Sequence, residues 1–328
     1  MKLTIFILLV LVATANISCA QIHPLEVTVK TDKPEYGYRE MVTVYGNVTY
    51  NGEIVQEGLT AIQVLTPSNE TIVLRTFPSG STPSSSWVVE VLSIVPCDSN
   101  GTPRDYFTRN SFAYFNITIR NNGITPKETL IVLNVFDFDL TPIGFSYIIM
   151  TLAPETGNTA IISVYLYDWV STGTALACAN AYTDWPKNQG YPYCPEKNAS
   201  FNITSTSSSI LSTETLNNGG NYQGNFHIPP EVPPYSNVKG TYYVAVAAFY
   251  GGWTAFNNAT FTVDYQYPED FEPDGDIDIY DVVKVTSVYG SSGGLPGWNP
   301  HLDVQPDGEI NIYDVVKVTS LYGTEYEL

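Results

Sequence analysis

From residue 25 to residue 263 the chain repeats one pattern. Runs rich in Val, Ile, Tyr, Phe and Thr are separated by clusters of Gly, Pro, Asn and Ser, at the spacing of short strands joined by tight turns. Strands are predicted over 25–30, 41–50, 59–65, 71–76, 87–95, 112–120, 129–136, 160–169 and 201–204, and no comparable stretch there has helical periodicity. Two small, polar breaks, 78–86 and 205–209, divide this region into three pieces. The first and third hold too few strands for a sandwich of about seven, whereas the middle one has enough. The expected fold is therefore mainly β: one discontinuous sandwich built from 22–80 plus 206–264, with a second sandwich, 86–205, inserted at an exposed loop. Gly240-Thr241-Tyr242-Tyr243-Val244 has the form of a tyrosine corner, with Tyr242 as the corner residue.

The pattern changes after residue 265. Ile277 to Gly290 recurs as Ile310 to Gly323, the only differences being Asp278 against Asn311 and Val288 against Leu321. Each copy is rich in β-branched residues that disfavour helix. Even so, Ile279, Val282, Val283, Thr286 and Tyr289 recur at helical spacing, and Gly290 and Gly323 stand as C-terminal stops, so a helix is predicted in each copy. Ahead of each lies a carboxylate-rich loop with the alternation of an EF-hand calcium loop. The first offers Asp270, Glu272, Asp274, Asp278 and Asp281, the carbonyl of Asp276, and Gly275 at the turn. The second offers Asp303, Gln305, Asp307, Asn311 and Asp314, the carbonyl of Glu309, and Gly308 at the turn. A hard cation taking six to eight oxygens at about 2.3–2.6 Å is served from one short segment only if that segment turns back on itself.

Two loops, each leading into a single helix, with Asp as the final ligand and a spacer at 291–300, resemble a dockerin over about 265–324. The resemblance implies a small helical module, 265–328, binding two Ca2+ ions and docking to a cohesin-like domain or another cell-surface protein. Glu272 and Gln305 depart from the Asn or Asp usual at the third position. By position, the resemblance puts the partner-facing residues at Ile279, Tyr280, Lys284, Thr286 and Ser287, and at Ile312, Tyr313, Lys317, Thr319 and Ser320. The opening Lys30-Thr31-Asp32-Lys33-Pro34-Glu35-Tyr36 and the closing Phe226-His227-Ile228-Pro229-Pro230 resemble macroglobulin-type immunoglobulin-like domains. Residues 113–123 resemble the CARDB group of adhesion-type sandwiches, so the β domains are expected to serve as adhesive or spacer elements.

Charge and compartment narrow the function further. A net charge of -19, from 14 Lys+Arg against 33 Asp+Glu, makes nucleic acid an unsuitable partner. Lys2, an apolar run from Leu3 to Ala15 and Ser18-Cys19-Ala20 read as a signal peptide over 1–20, too short to span a bilayer, and imply export with no transmembrane segment in the mature chain. Asn-x-Ser/Thr sites at Asn47, Asn69, Asn100, Asn116, Asn198, Asn202 and Asn258 agree with an exposed, glycosylated surface. Of the three remaining cysteines, Cys97 and Cys194 lie in turn-like stretches and are the expected disulfide; Cys178 with Cys194 is the alternative. Three scattered His residues, Ser-rich stretches without a nucleophile motif and scattered carboxylates nominate no catalytic residue. Tyr182, Trp185, Tyr191 and Tyr193 crowd one loop, where packing is the expected role and carbohydrate stacking the alternative. The reading is a secreted, non-catalytic surface or matrix protein. Its alternatives are a component of a polysaccharide-degrading complex and a subunit of a calcium-dependent extracellular filament.

Overall fold

The computed structural model describes residues 24–80, 87–204, 221–235, 237–265, 267–272, 274–293 and 295–326; the expected signal peptide lies outside them. The strands of the first stretch are β1 (Leu25–Val27), β2 (Lys30–Thr31), β3 (Glu35–Tyr36), β4 (Met41–Tyr50), β5 (Glu53–Ile54), β6 (Glu57–Leu65) and β7 (Thr71–Gly80). The next stretch holds β8 (Val89–Cys97), β9 (Tyr106–Thr108), β10 (Ser111–Asn121), β11 (Lys127–Phe136), β12 (Pro142–Leu152), β13 (Gly157–Leu166), β14 (Gly173–Tyr182) and β15 (Lys197–Thr204). Then follow β16 (Asn221–His227), β17 (Gly240–Tyr250), β18 (Trp253–Val263) and two helices, α1 (Ile279–Ser287) and α2 (Ile312–Ser320).

Strands β1, β4 and β16, with β2 and β5 also on β4, form one sheet; β3-β18-β17-β6-β7 form the sheet facing it. Residues 24–80 and 221–263 thus share both sheets, held by the antiparallel register of Asn221–His227 against Met41–Asn47. The other sandwich is β13-β10-β8 against β12-β11-β14-β15-β9. β4 alternates apolar-in with polar-out, as a strand with one solvated face must, and buries Val42, Val44 and Val48.

β6 and β11 do not alternate. After their first residues nearly every position is buried, which happens when a strand is covered on both faces. The second cover is the other sandwich: Ala61, Leu74 and Ala247 of one pack with Leu130, Val132 and Tyr182 of the other. Several polar groups in this contact are paired across it. Asn134 Oδ1 accepts from the Leu74 N–H at 2.8 Å, and the Thr76 hydroxyl donates to the Tyr182 hydroxyl at 3.0 Å. Arg75 forms a two-pronged pair with Glu196 at 3.1 and 2.6 Å.

The aromatic loop strengthens the same contact. Tyr191 stacks on Phe249 of the first sandwich with ring planes 7° apart, Trp185 packs on Phe145 and Tyr147, and the Lys187 N–H donates to Gln63. The side chains that gave the loop its carbohydrate alternative are mostly spent on packing.

Three local expectations need correction. Cys97, Cys178 and Cys194 are all buried and unbonded, so the Cys97–Cys194 bridge is absent. The Cys194 Sγ accepts from the Val91 N–H at 3.4 Å, six residues along β8 from Cys97. At about 3.3 Å per residue that is roughly 20 Å, against the 7 Å or less between Cα atoms that a disulfide spans. Tyr242 is buried and stacked on Phe261, but its hydroxyl has no partner among the described residues, so the hydrogen bond of a tyrosine corner is missing. β7 also runs on through Pro78 to Gly80, three residues into the stretch read as a break.

Candidate metal centre

Both copies of the repeat begin their helices in the same way. Asp278 is the N-cap of α1 and accepts from the Tyr280 N–H at 2.6 Å; Asn311 caps α2 from the Tyr313 N–H at 2.8 Å. Asp281 and Asp314 reach back to the cap N–H groups at 2.9 and 2.8 Å, completing capping boxes. These local bonds start a helix in a sequence of poor propensity. Gly290 and Gly323 follow the helices with φ of 84° and 80°, a left-handed conformation glycine adopts at little cost.

Tertiary packing does the rest. Ile277, Val285, Ile310 and Val318 are fully buried in the module core with Phe271, Leu302 and Val304. The two copies clasp each other reciprocally: Gly323 N–H to Ile277 O and Gly290 N–H to Ile310 O, both at 2.8 Å. Most of the positions that recur at helical spacing face outward. Ile279, Val283, Thr286 and Tyr289 are exposed, and the helix buries Asp281 and Val285. With apolar β-branched residues on both sides of the helix, the pattern could not say which side faced in.

The loops share most of their carboxylate-to-backbone bonds, the twelfth residue reaching the second position in one and the third in the other. The last carboxylates, Asp281 and Asp314, each accept a second backbone N–H, from Phe271 at 2.7 Å and Gln305 at 2.9 Å. The first carboxylates, Asp270 and Asp303, accept from the turn glycines, Gly275 at 3.2 Å and Gly308 at 3.1 Å. The fifth, Asp274 and Asp307, accept from the N–H two residues on, at 3.3 and 3.0 Å. The turn glycines have φ of 93° and 79°. Each loop therefore gathers its first, fifth, ninth and twelfth residues by wrapping side chains around its own backbone.

The third position is different. Glu272 lies 3.4 Å from the Lys284 ammonium across the loop, a pairing the neutral Gln305 side chain cannot make. Among the described residues no three His, Cys, Asp or Glu side chains stand in a finished metal-binding arrangement, the first, fifth and twelfth carboxylates being turned onto backbone N–H groups.

The loops nevertheless suit a hard cation. Asp270 is 6% exposed, and its Oδ1 is buried with no hydrogen-bond partner among the described residues, an acceptor left open that costs stability until something fills it. Desolvation, followed by the surrounding Asp274, Asp278 and Asp281 carboxylates, raises the pKa of Asp276. Burial raises those of Asp281 and Asp314 against the pull of their backbone hydrogen bonds. Each loop gathers negative charge that a divalent cation would balance.

The expected partner-facing residues all lie on the helices' outer face. Tyr280 is 62% and Tyr313 65% exposed, and Ile279, Val283, Ile312 and Val316 lie exposed beside them. Thr286, Ser287, Thr319 and Ser320 spend their hydroxyl protons on carbonyls of their own helix, at 2.7–2.8 Å. Lys284 pairs with Glu272, and Lys317 with buried Glu269 at 3.5 Å. Val283, Tyr289, Val316 and Tyr322 belong to the exposed apolar face although the sequence did not assign them there.

The module is seated on both sandwiches. His301 Nδ1 meets the Tyr38 carbonyl at 2.6 Å, Tyr38 joins the module core, and Trp298 Nε1 donates to Asp139. Arg109 Nη1 donates to the Asp307 carbonyl at 2.7 Å, and a Cβ on Gly308 would lie 2.3 Å from the same guanidinium. Arg39 Nη1 donates to Asp303 Oδ2 at 2.8 Å, both side chains fully buried. Burial pushes the Asp303 carboxyl up to about 7 against the opposing pull of Arg39. The two arginines escaped the sequence reading because they lie about two hundred residues or more from the loop they contact and carry no motif.

Asp137, beside this junction, is 1% exposed and accepts from the Asp139 and Thr141 N–H groups at 3.1 and 3.0 Å. Burial, then repulsion from Asp139, pushes its carboxyl up to about 7, above the roughly 4 of an unfolded chain. Between those values the folded state holds the extra proton, so its stabilisation is complete below about 4 and is lost as pH rises through 7. The chelated protein is expected to melt at a higher temperature at pH 5 than at pH 8, with Asp137→Asn reducing the difference. Equal slopes for the two proteins in a calorimetric pH series would show that Asp137 does not carry the effect.

No protein-family model matches this chain, and no curated protein matches it. Among solved structures, the C-terminal domain of wzt is similar at TM-score 0.32 and 9% identity, covering 39% of this chain and 86% of that one. A CARDB domain from Pyrococcus furiosus, solved in complex with di-metal ions, has TM-score 0.24 and 13% identity, covering 38% of this chain and 93% of that one. A Niemann-Pick type C2 protein from Japanese carpenter ant has TM-score 0.26 and 10% identity, covering 37% of this chain and 96% of that one.

Proposed function

We propose that the chain is a secreted, non-catalytic protein whose C-terminal module, 265–328, is a calcium-dependent docking element carried on two rigidly joined sandwiches. The observation that carries this reading is the pair of equivalent loops, each wrapping its own backbone with carboxylates, of which Asp270 keeps a buried oxygen open. Bound calcium would supply the positive charge that these carboxylates lack, through Asp270, Asp274, Asp278 and Asp281 with the Asp276 carbonyl in one loop, and Asp303, Asp307, Asn311 and Asp314 with the Glu309 carbonyl in the other.

The residues of the chain then do two things. Asp281 and Asp314 link each loop to the first turn of its helix, so loop geometry and helix start rise and fall together. The helices present Ile279, Tyr280 and Val283, and Ile312, Tyr313 and Val316, as matching exposed apolar patches suited to a cohesin-like or other surface partner. The signal-peptide pattern supports export, and no helix among the described residues is long and apolar enough to cross a membrane.

The test is calcium titration of the chelated full chain, followed by calorimetry and circular dichroism, with Asp274→Ala/Asp307→Ala as control. Heat of binding with a gain in helix or melting temperature, lost in the control, is the expected result. A chain indifferent to calcium at millimolar concentration would overturn the reading.

A further inference from the structure

The two loops are copies in sequence but differ in what touches their first ligand. In the first, the outer oxygen of Asp270, Oδ2, accepts from the Tyr326 hydroxyl at 2.5 Å, a neutral donor, and Oδ1 is left open. In the second, the corresponding Oδ2 of Asp303 accepts from Arg39, a full positive charge carried in from the first sandwich, and Oδ1 accepts from the Asp307 N–H at 3.2 Å. A second guanidinium, Arg109 from the inserted sandwich, caps the Asp307 carbonyl. The ligand charges differ in the same sense. Asp270, Glu272, Asp274, Asp278 and Asp281 stand against only Asp303, Asp307 and Asp314, with Gln305 and Asn311 neutral.

Arg39 cannot be a casual surface contact. Its side chain is wholly buried, its Nε and Nη2 have no partner among the described residues, and Asp303 is its only salt-bridge partner among them, with the Asp137 and Asp139 carboxylates acting on it from further off. A buried cation so placed depends chiefly on that carboxylate staying negative and close. A divalent ion drawn to Asp303 would meet an arginine already there, at a distance where burial leaves little screening.

Resting on the calcium reading above, we propose that Arg39 is a built-in counter-cation for the second loop. It keeps that loop closed and seated on the sandwiches without metal, and makes the second site much weaker for calcium than the first. The first loop is then the calcium-responsive one. The second is the joint that holds the module to the body of the protein, and calcium enters it only as Arg39 gives way and the seating around Trp298 and Asp139 loosens. Arg39 acts through Asp303 and is a positioning residue.

The experiment is calcium calorimetry on the chelated full chain in four forms: parent, Arg39→Gln/Asp303→Asn, Asp270→Asn and Asp270→Asn/Arg39→Gln. Arg39→Gln/Asp303→Asn, which leaves no buried charge unpaired, is expected to keep the tight site and Asp270→Asn only the weak one. Adding Arg39→Gln to Asp270→Asn is expected to tighten the surviving site tenfold or more. A change of less than threefold, or loss of the tight site in folded Arg39→Gln/Asp303→Asn, would overturn the inference and leave the calcium reading standing; no binding by the parent would overturn both. Should the Arg39 variant not fold, the Asp270→Asn chain decides. Its calcium step is expected to change a tryptophan fluorescence signal that is absent after Trp298→Phe, and binding without that change would overturn the inference.

Discussion

Glu196→Ala is expected to be the most damaging single substitution in the sandwich region, costing about 3–5 kcal/mol in urea or thermal unfolding. Glu196 takes both prongs of Arg75, at 3.1 and 2.6 Å, and its Oε2 also accepts from Asn180 at 3.2 Å. The side chains of the pair are 13% and 7% exposed, so removing the carboxylate leaves a guanidinium among the Phe77 and Phe136 rings with neither water nor anion to balance it. Because much of the cost comes from that abandoned charge, replacing both residues by Met is expected to cost markedly less than Glu196→Ala alone. A loss below about 1 kcal/mol for Glu196→Ala would mean that water reaches the pair and that the sandwiches are not firmly joined there.

The second large effect is expected at Asp281, and equally at Asp314. Asp281 accepts the Phe271 and Asp278 N–H groups at 2.7 and 2.9 Å while occupying the twelfth position of the loop. Asp281→Ala removes two charge-assisted bonds at once, each worth about 1.5–3 kcal/mol, and is expected to abolish both the start of α1 and the calcium response of its loop. Asp281→Asn separates the two roles. It keeps one carbonyl oxygen for a backbone N–H, so helix content should largely survive without metal, while calcium affinity falls at least tenfold. Circular dichroism and calorimetry on both variants distinguish the outcomes. Full affinity in Asp281→Asn would remove this residue from the proposed ligand set.

These two sites differ in how visible they were before any coordinates. The duplicated segment, its turn glycines, its glycine stops and the helices could all be located in the sequence, because each depends on groups within about a dozen residues of one another, and alternation of carboxylates leaves a spacing that can be counted. The strands were legible for the same reason: period-two patterning and turn residues act locally. β14, which carries Cys178, is not among the predicted strands, because a strand buried on both faces has no alternation to detect.

What could not be read were the choices of partner. Nothing local connects Arg75 to Glu196, Arg39 to Asp303 or Arg109 to Asp307; each pair forms only because two sandwiches and a module close on one another, and burial then makes a lone charge intolerable. Cys97 and Cys194 shared a turn-like context, yet six residues of β8 hold them apart. Even the duplicated helices, predicted against a β-branched composition, were ambiguous in their facing. With Val and Ile all round, only the packing of Val285 and Val318 against Ile277 and Ile310 turned Val283, Val316 and the tyrosines to the outside. Local hydrogen bonding and periodicity settle what each segment becomes. Which face is covered, and which charge meets which, is settled by the close packing of segments distant in the chain.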